Sequence, residues 1–146
     1  MTQLCDHLCN ENLETMIYLM ARVIMTETIT LQLGVKEALA TMIVNRANDD
    51  NIPLNEILRD TKLFNSWNSK KIQPMQVPIY DPEFQVCLRT ARRACSGLLH
   101  DRTLGSTAFH HLSESPEWTL DWLPIIEINP LVFYKFDHNF KIKELL

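Results

Sequence analysis

Residues 13–30 read LETMIYLMARVIMTETIT. Within this stretch Leu13, Ile17, Met20, Ile24 and Glu27 follow one another at steps of three or four residues, so an uninterrupted helix places them on one face. Four apolar residues and one acid in register pose a choice. If the helix runs through Glu27, its carboxyl lies among apolar side chains. Desolvation there penalises the charged form, raises the pKa and makes the group a proton donor near neutral pH. If the helix stops at about Met25, Glu27 is a solvated end residue, and the β-branched Thr26, Thr28, Ile29 and Thr30 weaken a helix at that point.

Outward from this segment the pattern is mainly helical. Residues 1–12 form a short polar lead-in. Val35, Leu39, Met42, Ile43 and Arg46 repeat with helical spacing and predict a second helix from Val35 to Ala47, with Gly34 as a break before it. Pro53 suits the first turn of a short helix reaching Arg59, with Leu54, Ile57 and Leu58 facing inward. From Asp60 to Asp81 the pattern is irregular and predicts a long loop around Phe64 and Trp67, of a length that is often functional. Asp81-Pro82 reads as an N-cap and first-turn proline. The stripe Phe84, Cys87, Leu88, Ala91, Ala94, Cys95 and Leu98 then carries a helix to about Ser96, with Gly97 near its end. Beyond Asp101 the period fades, and Ser106–Leu112 and Leu131–Phe136 are expected to be strands paired across the Trp118–Pro130 connection. Helices first and a small β element last define an α+β domain.

The 146 residues, 46% hydrophobic and 22% charged, are enough for one domain spanning 1–146 and burying on the order of two-thirds of its extended surface. No apolar run approaches the roughly 20 residues that cross a bilayer, so membrane insertion is not expected. The N-terminus shows no signal peptide, which implies synthesis in the cytoplasm. A net charge of −4 with both signs mixed along the chain gives no support to nucleic-acid binding. Cys5, His7 and Cys9 resemble half a metal site but lack a second ligand pair, and neither a metal nor a cofactor is expected. Cys87 and Cys95 fall on an apolar helix face, too far apart along it to bond, and are read as core thiols. The sequence leaves oligomeric state open.

Taken in order, these segments resemble the bacterial cell wall hydrolases of the spore cortex-lytic type, the SleB/CwlJ-like family, from about Ile17 to Phe136. Thr26-Glu27-Thr28 stands where the family has A-E-A, and Val44-Asn45-Arg46 is similar to its V-L-N-R segment. Ser66-Trp67 resembles the end of F-S-W, with Asn65 in place of the aromatic and Phe64 one position earlier. Ala91, Ala94 and Gly97 match A-x-x-A-x-x-G; Asp101, Thr103, Gly105, Thr107, Phe109 and His110 follow D-P-T-G-G-A-T-H-Y-H. Pro116 and Trp118 fit P-x-W, and Ile128-Asn129 with Val132-Phe133-Tyr134 is similar to the closing I-G-N-H-V-F-Y. Three positions depart: Leu31 replaces the second glutamate of the opening motif, Ala108 the first histidine of T-H-Y-H, and Leu131 the histidine before V-F-Y.

The resemblance implies a mainly helical lysozyme/lytic-transglycosylase-like α+β domain with a small antiparallel β element in its C-terminal half. It implies a peptidoglycan-cleaving enzyme acting on the glycan strands, at the bond from N-acetylmuramic acid to N-acetylglucosamine. Such cleavage requires protonation of the leaving oxygen while positive charge builds on the sugar. In a lytic transglycosylase the sugar's own 6-hydroxyl attacks, so one acid, Glu27, serves as donor and then as base. A hydrolase would usually need a second carboxylate, for which Asp81, Asp101, Glu114 and Asp121 are the candidates. Trp67 is placed to stack on a sugar or to fill the core, and Ser66 to bond an N-acetyl group or turn the loop. Thr107, His110 and Tyr134 are expected to line the cleft beside Glu27. His111 is expected to point to the opposite side of the strand from His110. Asn45 and Arg46 are expected to brace or cap the Glu27 helix.

Two other functions compete. One is a zinc-dependent N-acetylmuramoyl-L-alanine amidase using His110, His111 or His7 with a carboxylate, although their spacing matches no recognised ligand set. The other is a non-catalytic wall-binding or assembly protein on a degenerate lysin fold, which Leu31 and Leu131 favour. The expected site of action is the cell wall, with phage-type release or packaging in a spore or virion as the routes by which a chain without a visible signal peptide would reach it.

Overall fold

The structure is a computed structural model and describes residues 12–136. Cys5, His7 and Cys9 lie outside the described residues. The element order is α1 (Leu13–Glu27), α2 (Leu33–Asp50), α3 (Leu54–Leu58), α4 (Pro82–Cys95), β1 (Ala108–His111), β2 (Ile126–Ile128) and β3 (Leu131–Tyr134). The long 60–81 connection carries two 3-10 turns, Asn65–Asn68 and Pro74–Gln76.

Helix α1 begins where Asn12 accepts the Glu14 amide at 2.8 Å, satisfying one of the donors a helix start leaves open. The helix contacts α2, α3, α4 and both 3-10 turns. It is accordingly buried well beyond one stripe: Met16, Leu19 and Val23 are as enclosed as Ile17, Met20 and Ile24. Its partner α4 has the expected N-cap, Asp81 accepting the Glu83 amide at 2.8 Å, with Pro82 in the first turn and Gly97 at φ 71° just past the end. Cys87 and Cys95 are buried free thiols on its inner face, and burial pushes the Cys87 thiol up to about 12.

Helix α2 is longer than its apolar repeat at both ends: Gly34 lies inside its first turn rather than before it, and the helix runs past Ala47 to Asp50, where Asn51 at φ 53° ends it. A side chain at Gly34 would meet the Arg102 guanidinium, 3.1 Å from an added Cβ, so the position packs closely instead of breaking the helix.

The sheet is antiparallel in the order β1-β3-β2. Ala108 pairs with Tyr134 and His111 with Leu131, while Ile126 pairs with Phe133. Strands β1 and β3 are shorter than the segments expected, and β2 is an addition to them. Its three-residue alternation, Ile126-Glu127-Ile128, is closed off by Pro130 and is too short to stand out as a period-2 pattern. Phe109, Leu131 and Phe133 join the main helical core, where Phe109 lies 5.8 Å from Phe64. Ala108, Val132 and Tyr134 form a second cluster with Trp118, Trp122 and Phe136.

Candidate active site

Glu27 is the last residue of α1, and only 7% of it is exposed. The β-branched Thr28 ends the helix, its backbone amide still bonded to the Ile24 carbonyl at 2.9 Å. The chain then turns through Thr30 at φ 63°. This turn is held from beneath by Lys36, whose Nζ donates to the carbonyls of Thr28 at 2.7 Å and Leu31 at 2.8 Å and lies 3.5 Å from Glu83. A cation placed on carbonyls left open at a helix C-terminus is favoured by both hydrogen bonding and the helix dipole. Glu83 in turn accepts the Thr30 amide with both oxygens. Helix end and burial therefore coincide at Glu27, which the sequence pattern treated as alternatives.

Glu27 is not enclosed by apolar groups alone. The Ser66 amide donates to its Oε2 at 3.0 Å, and His111 Nε2 lies 3.4 Å from its Oε1. Ser66 is held by a second contact, its hydroxyl 3.0 Å from that of Thr26. Glu27 also sits where two depressions meet. One, of about 550 Å³, is walled by Lys62, Asn68, Phe109, His110, Glu114 and Trp118. The other, of about 470 Å³, is walled by Ile29, Leu31, Ser69, Lys71, Ile72 and His111. Asn65 borders both, as Glu27 does.

Strand parity separates the two adjacent histidines. His111 shares the Phe109 face, edge-on to that ring at 5.9 Å, and reaches Glu27. Its pKa is raised by the hydrogen bond to Glu27, against burial, with the Glu27 and Glu114 charges adding to the rise. His110 points to the other face, where its Nδ1 lies 2.7 Å from the His111 carbonyl oxygen. A carbonyl only accepts, so Nδ1 donates to it, while Nε2 lies 3.0 Å from the Tyr134 hydroxyl. Burial pushes the Tyr134 phenol above its ordinary value.

Asn45 and Arg46 do not brace or cap the Glu27 helix. Asn45 Nδ2 donates to Asp101 at 3.0 Å and to the Ser106 carbonyl at 3.1 Å, and Arg46 donates to the Thr107 carbonyl at 3.0 Å. Both residues face the segment that leads into β1, so they tie the sheet to α2. Asp101 is the hub of that segment, accepting the Thr103 amide and hydroxyl and the Gly105 amide. Burial alone would raise its pKa, but the bonds from Thr103, Asn45 and Gly105 outweigh it and hold the carboxyl below the usual range. This engagement explains Asp101 as a turn residue. Asp81 is likewise occupied as a cap.

Of the residues singled out in the sequence, Glu27, Ser66 and His110 come together around the depressions. Trp67 is turned away, its indole nitrogen donating to the Leu58 carbonyl at 2.8 Å and its ring packed on the helical core. Thr107 is 2% exposed, with its hydroxyl accepting the Phe136 amide, and Tyr134 is buried against Trp118. Neither lines the two depressions. Sequence reasoning met Asn65 only as a departure from F-S-W, and passed over Lys62 and Asn68, which carry no period and no motif of their own. Glu114, one of four possible second acids, lines the larger depression with Glu27. Its Oε2 accepts Asn65 Nδ2 at 2.8 Å and its Oε1 the His111 amide at 3.1 Å. Among the described residues no group of three or more His, Cys, Asp or Glu side chains is arranged to hold a metal ion. Nor is any described helix long and apolar enough to cross a membrane.

A mainly helical α+β domain, with a buried glutamate ending its central helix opposite a small antiparallel sheet, is thus the class of structure at hand. It is similar to the catalytic domain of the Bacillus cereus SleB protein, with a TM-score of 0.69 and 19% identity, over 88% of this chain and 96% of that one. It is similar also to the catalytic domain of the germination-specific lytic transglycosylase SleB from Bacillus anthracis. There the TM-score is 0.67 and the identity 16%, over 86% of this chain and 98% of that one. No protein-family model and no curated protein sequence matches the chain. The α+β architecture expected from the sequence is the one observed, and it is shared with these domains almost end to end.

Proposed function

We propose that this protein cleaves the glycan strands of peptidoglycan as a lytic transglycosylase, with Glu27 as its general acid and then its base. The observation that carries the reading is the position of Glu27: a buried carboxyl where two open depressions meet, on a fold similar to that of a lytic transglycosylase. A polymer cut in its interior needs room on both sides of the scissile bond, and the two depressions supply it.

In the forward step Glu27 gives its proton to the glycosidic oxygen. The bond from that oxygen to C1 of the muramic acid breaks, its electron pair leaves with the oxygen, and positive charge spreads over C1 and the ring oxygen. The 6-hydroxyl of the same sugar attacks C1 and passes its proton to the Glu27 carboxylate, giving a 1,6-anhydro end and restoring the acid. The Ser66 amide and His111 fix the carboxyl in one orientation, which general acid catalysis requires at hydrogen-bonding distance.

Digestion of purified peptidoglycan by the wild type and Glu27→Gln, with mass spectrometry of the released muropeptides, tests this. The wild type is expected to yield anhydro ends. The isosteric variant keeps an oxygen for the Ser66 amide and should lose about 10²- to 10⁴-fold in rate with its circular dichroism unchanged. Undiminished cleavage by the variant removes Glu27 from the chemistry. Reducing ends from the wild type would instead make water the nucleophile, and Glu114, in the same depression, the second carboxylate.

A further inference from the structure

Besides Glu27, one titratable ring reaches the carboxyl on which the proposed chemistry turns. His111 approaches Glu27 Oε1 from β1, and its own surroundings leave that contact as the partner of its Nε2. The charged and titratable groups around it come from every side. Glu27 faces it from the end of α1, and Glu114 from the turn after β1. Lys71 lines the same depression from the 60–81 connection, and His110 precedes it on its own strand. Glu114 is engaged elsewhere, one oxygen on the His111 backbone amide and the other on Asn65, so it adds negative potential without taking the ring's proton. His110 is turned to Tyr134, with its Nδ1 on the His111 carbonyl. The ring is half-buried and Glu27 almost wholly so, which shields their interaction from solvent.

We propose that His111 is a positioning residue that acts through Glu27, holding at rest the proton that Glu27 delivers. This rests on Glu27 being the general acid. The pair carries one proton in its working state. In the free protein the imidazolium and carboxylate share it as an ion pair. A sugar strand laid over both depressions displaces water from that pair and removes the solvation that favours separated charges. The proton then moves from His111 Nε2 to Glu27 Oε1, leaving a neutral imidazole and a carboxylic acid ready to protonate the glycosidic oxygen. When the 6-hydroxyl attacks, its proton returns to Glu27, so no proton is gained or lost over a turnover. The consequence is a working range set by the histidine. The pair keeps its proton until the imidazolium titrates, whereas a lone carboxyl would lose it at lower pH. His111 is raised above the ordinary imidazole value by Glu27, in keeping with that arrangement.

Two measurements test the proposal. The first follows the His111 ring proton by NMR against pH in the wild type and in Glu27→Gln, and does not depend on activity. The His111 midpoint should lie above the ordinary imidazole value in the wild type and fall in the variant; equal midpoints in the two proteins overturn the pairing. The second compares the pH dependence of peptidoglycan cleavage by the wild type, His111→Gln and His111→Asn. The alkaline limb should move down by about one to two pH units, toward that of a lone carboxyl. A loss that is uniform in pH, with the limb in place, overturns the proposal and leaves His111 a purely structural contact. A wild type that cleaves no glycan removes Glu27 as the acid, while the NMR midpoints still decide whether the two residues share a proton.

Discussion

The two walls of the cleft are built on opposite principles. One is the end of α1, a helix enclosed by three others, whose carboxyl-bearing residue stops where the helix stops. The other is assembled from the 3-10 turn at Asn65–Asn68, strand β1 and the turn after it, and it presents Ser66, Asn65, His111 and Glu114. The helical wall takes its position from apolar burial, which is non-directional and large. The loop wall takes its position from hydrogen bonds, each of them modest, and from one buried aromatic beneath it, Phe64. The acid thus sits on a wall held by apolar burial, and its donors on a wall held by directional contacts.

The sharpest way to break this contrast is Phe64→Ala. Phe64 is fully buried immediately before the 65–68 turn and packs on Phe109 of β1, so it is the apolar anchor of the loop wall. Its truncation should cost about 3–5 kcal/mol in urea unfolding, as large aromatic deletions do. If the loss is under about 1 kcal/mol, the loop wall does not depend on that anchor.

Asp101→Asn should have a smaller effect. Asp101 gathers four donors where the chain enters β1, but it is partly exposed, so about 1–2 kcal/mol is expected. Its folded pKa lies below the ordinary value, so its contribution is present above the unfolded pKa of about 3.9 and is lost as pH falls through the folded one. Unfolding measured from pH 7 downward should therefore show a steeper acid fall in the wild type than in the variant. Parallel curves would mean that the hub adds no charge-dependent stability.

Ser66→Ala should have the smallest effect. The backbone amide that meets Glu27 remains, and only the contact with the Thr26 hydroxyl is lost, about 0.5–1.5 kcal/mol in unfolding. Glycan cleavage should fall by less than about tenfold. A loss as large as that of Glu27→Gln would transfer to the hydroxyl the role assigned to the amide.

The helices were legible because their signals are local and repeated. Asp81-Pro82 and the stripe from Phe84 to Cys95 specify α4 almost to the residue. β2 was not legible, because three residues cannot show a period, and what makes them a strand is the edge of β3. Periodicity made the site legible only at Glu27, an acid in an apolar register, while Ser66 and His110 were reached through the family resemblance alone. His111 and His110 stand side by side, and alternation says only that they face opposite ways. Which of them faces Glu27 follows from the pairing of β1 with β3, a long-range register. Asn45 and Arg46 were assigned to the wrong neighbour for the same reason: helix α2 presents them to the chain entering β1, more than fifty residues away.

By itself, then, the sequence determined the helical framework, the α+β order and one misplaced acid, because those follow from periodicity and local caps. Only the tertiary structure decided what that acid meets. It brought the Ser66 amide and the His111 ring to the end of α1 from 39 and 84 positions further along the chain, to within the few ångströms over which hydrogen bonds act, and set Glu114 in the same depression.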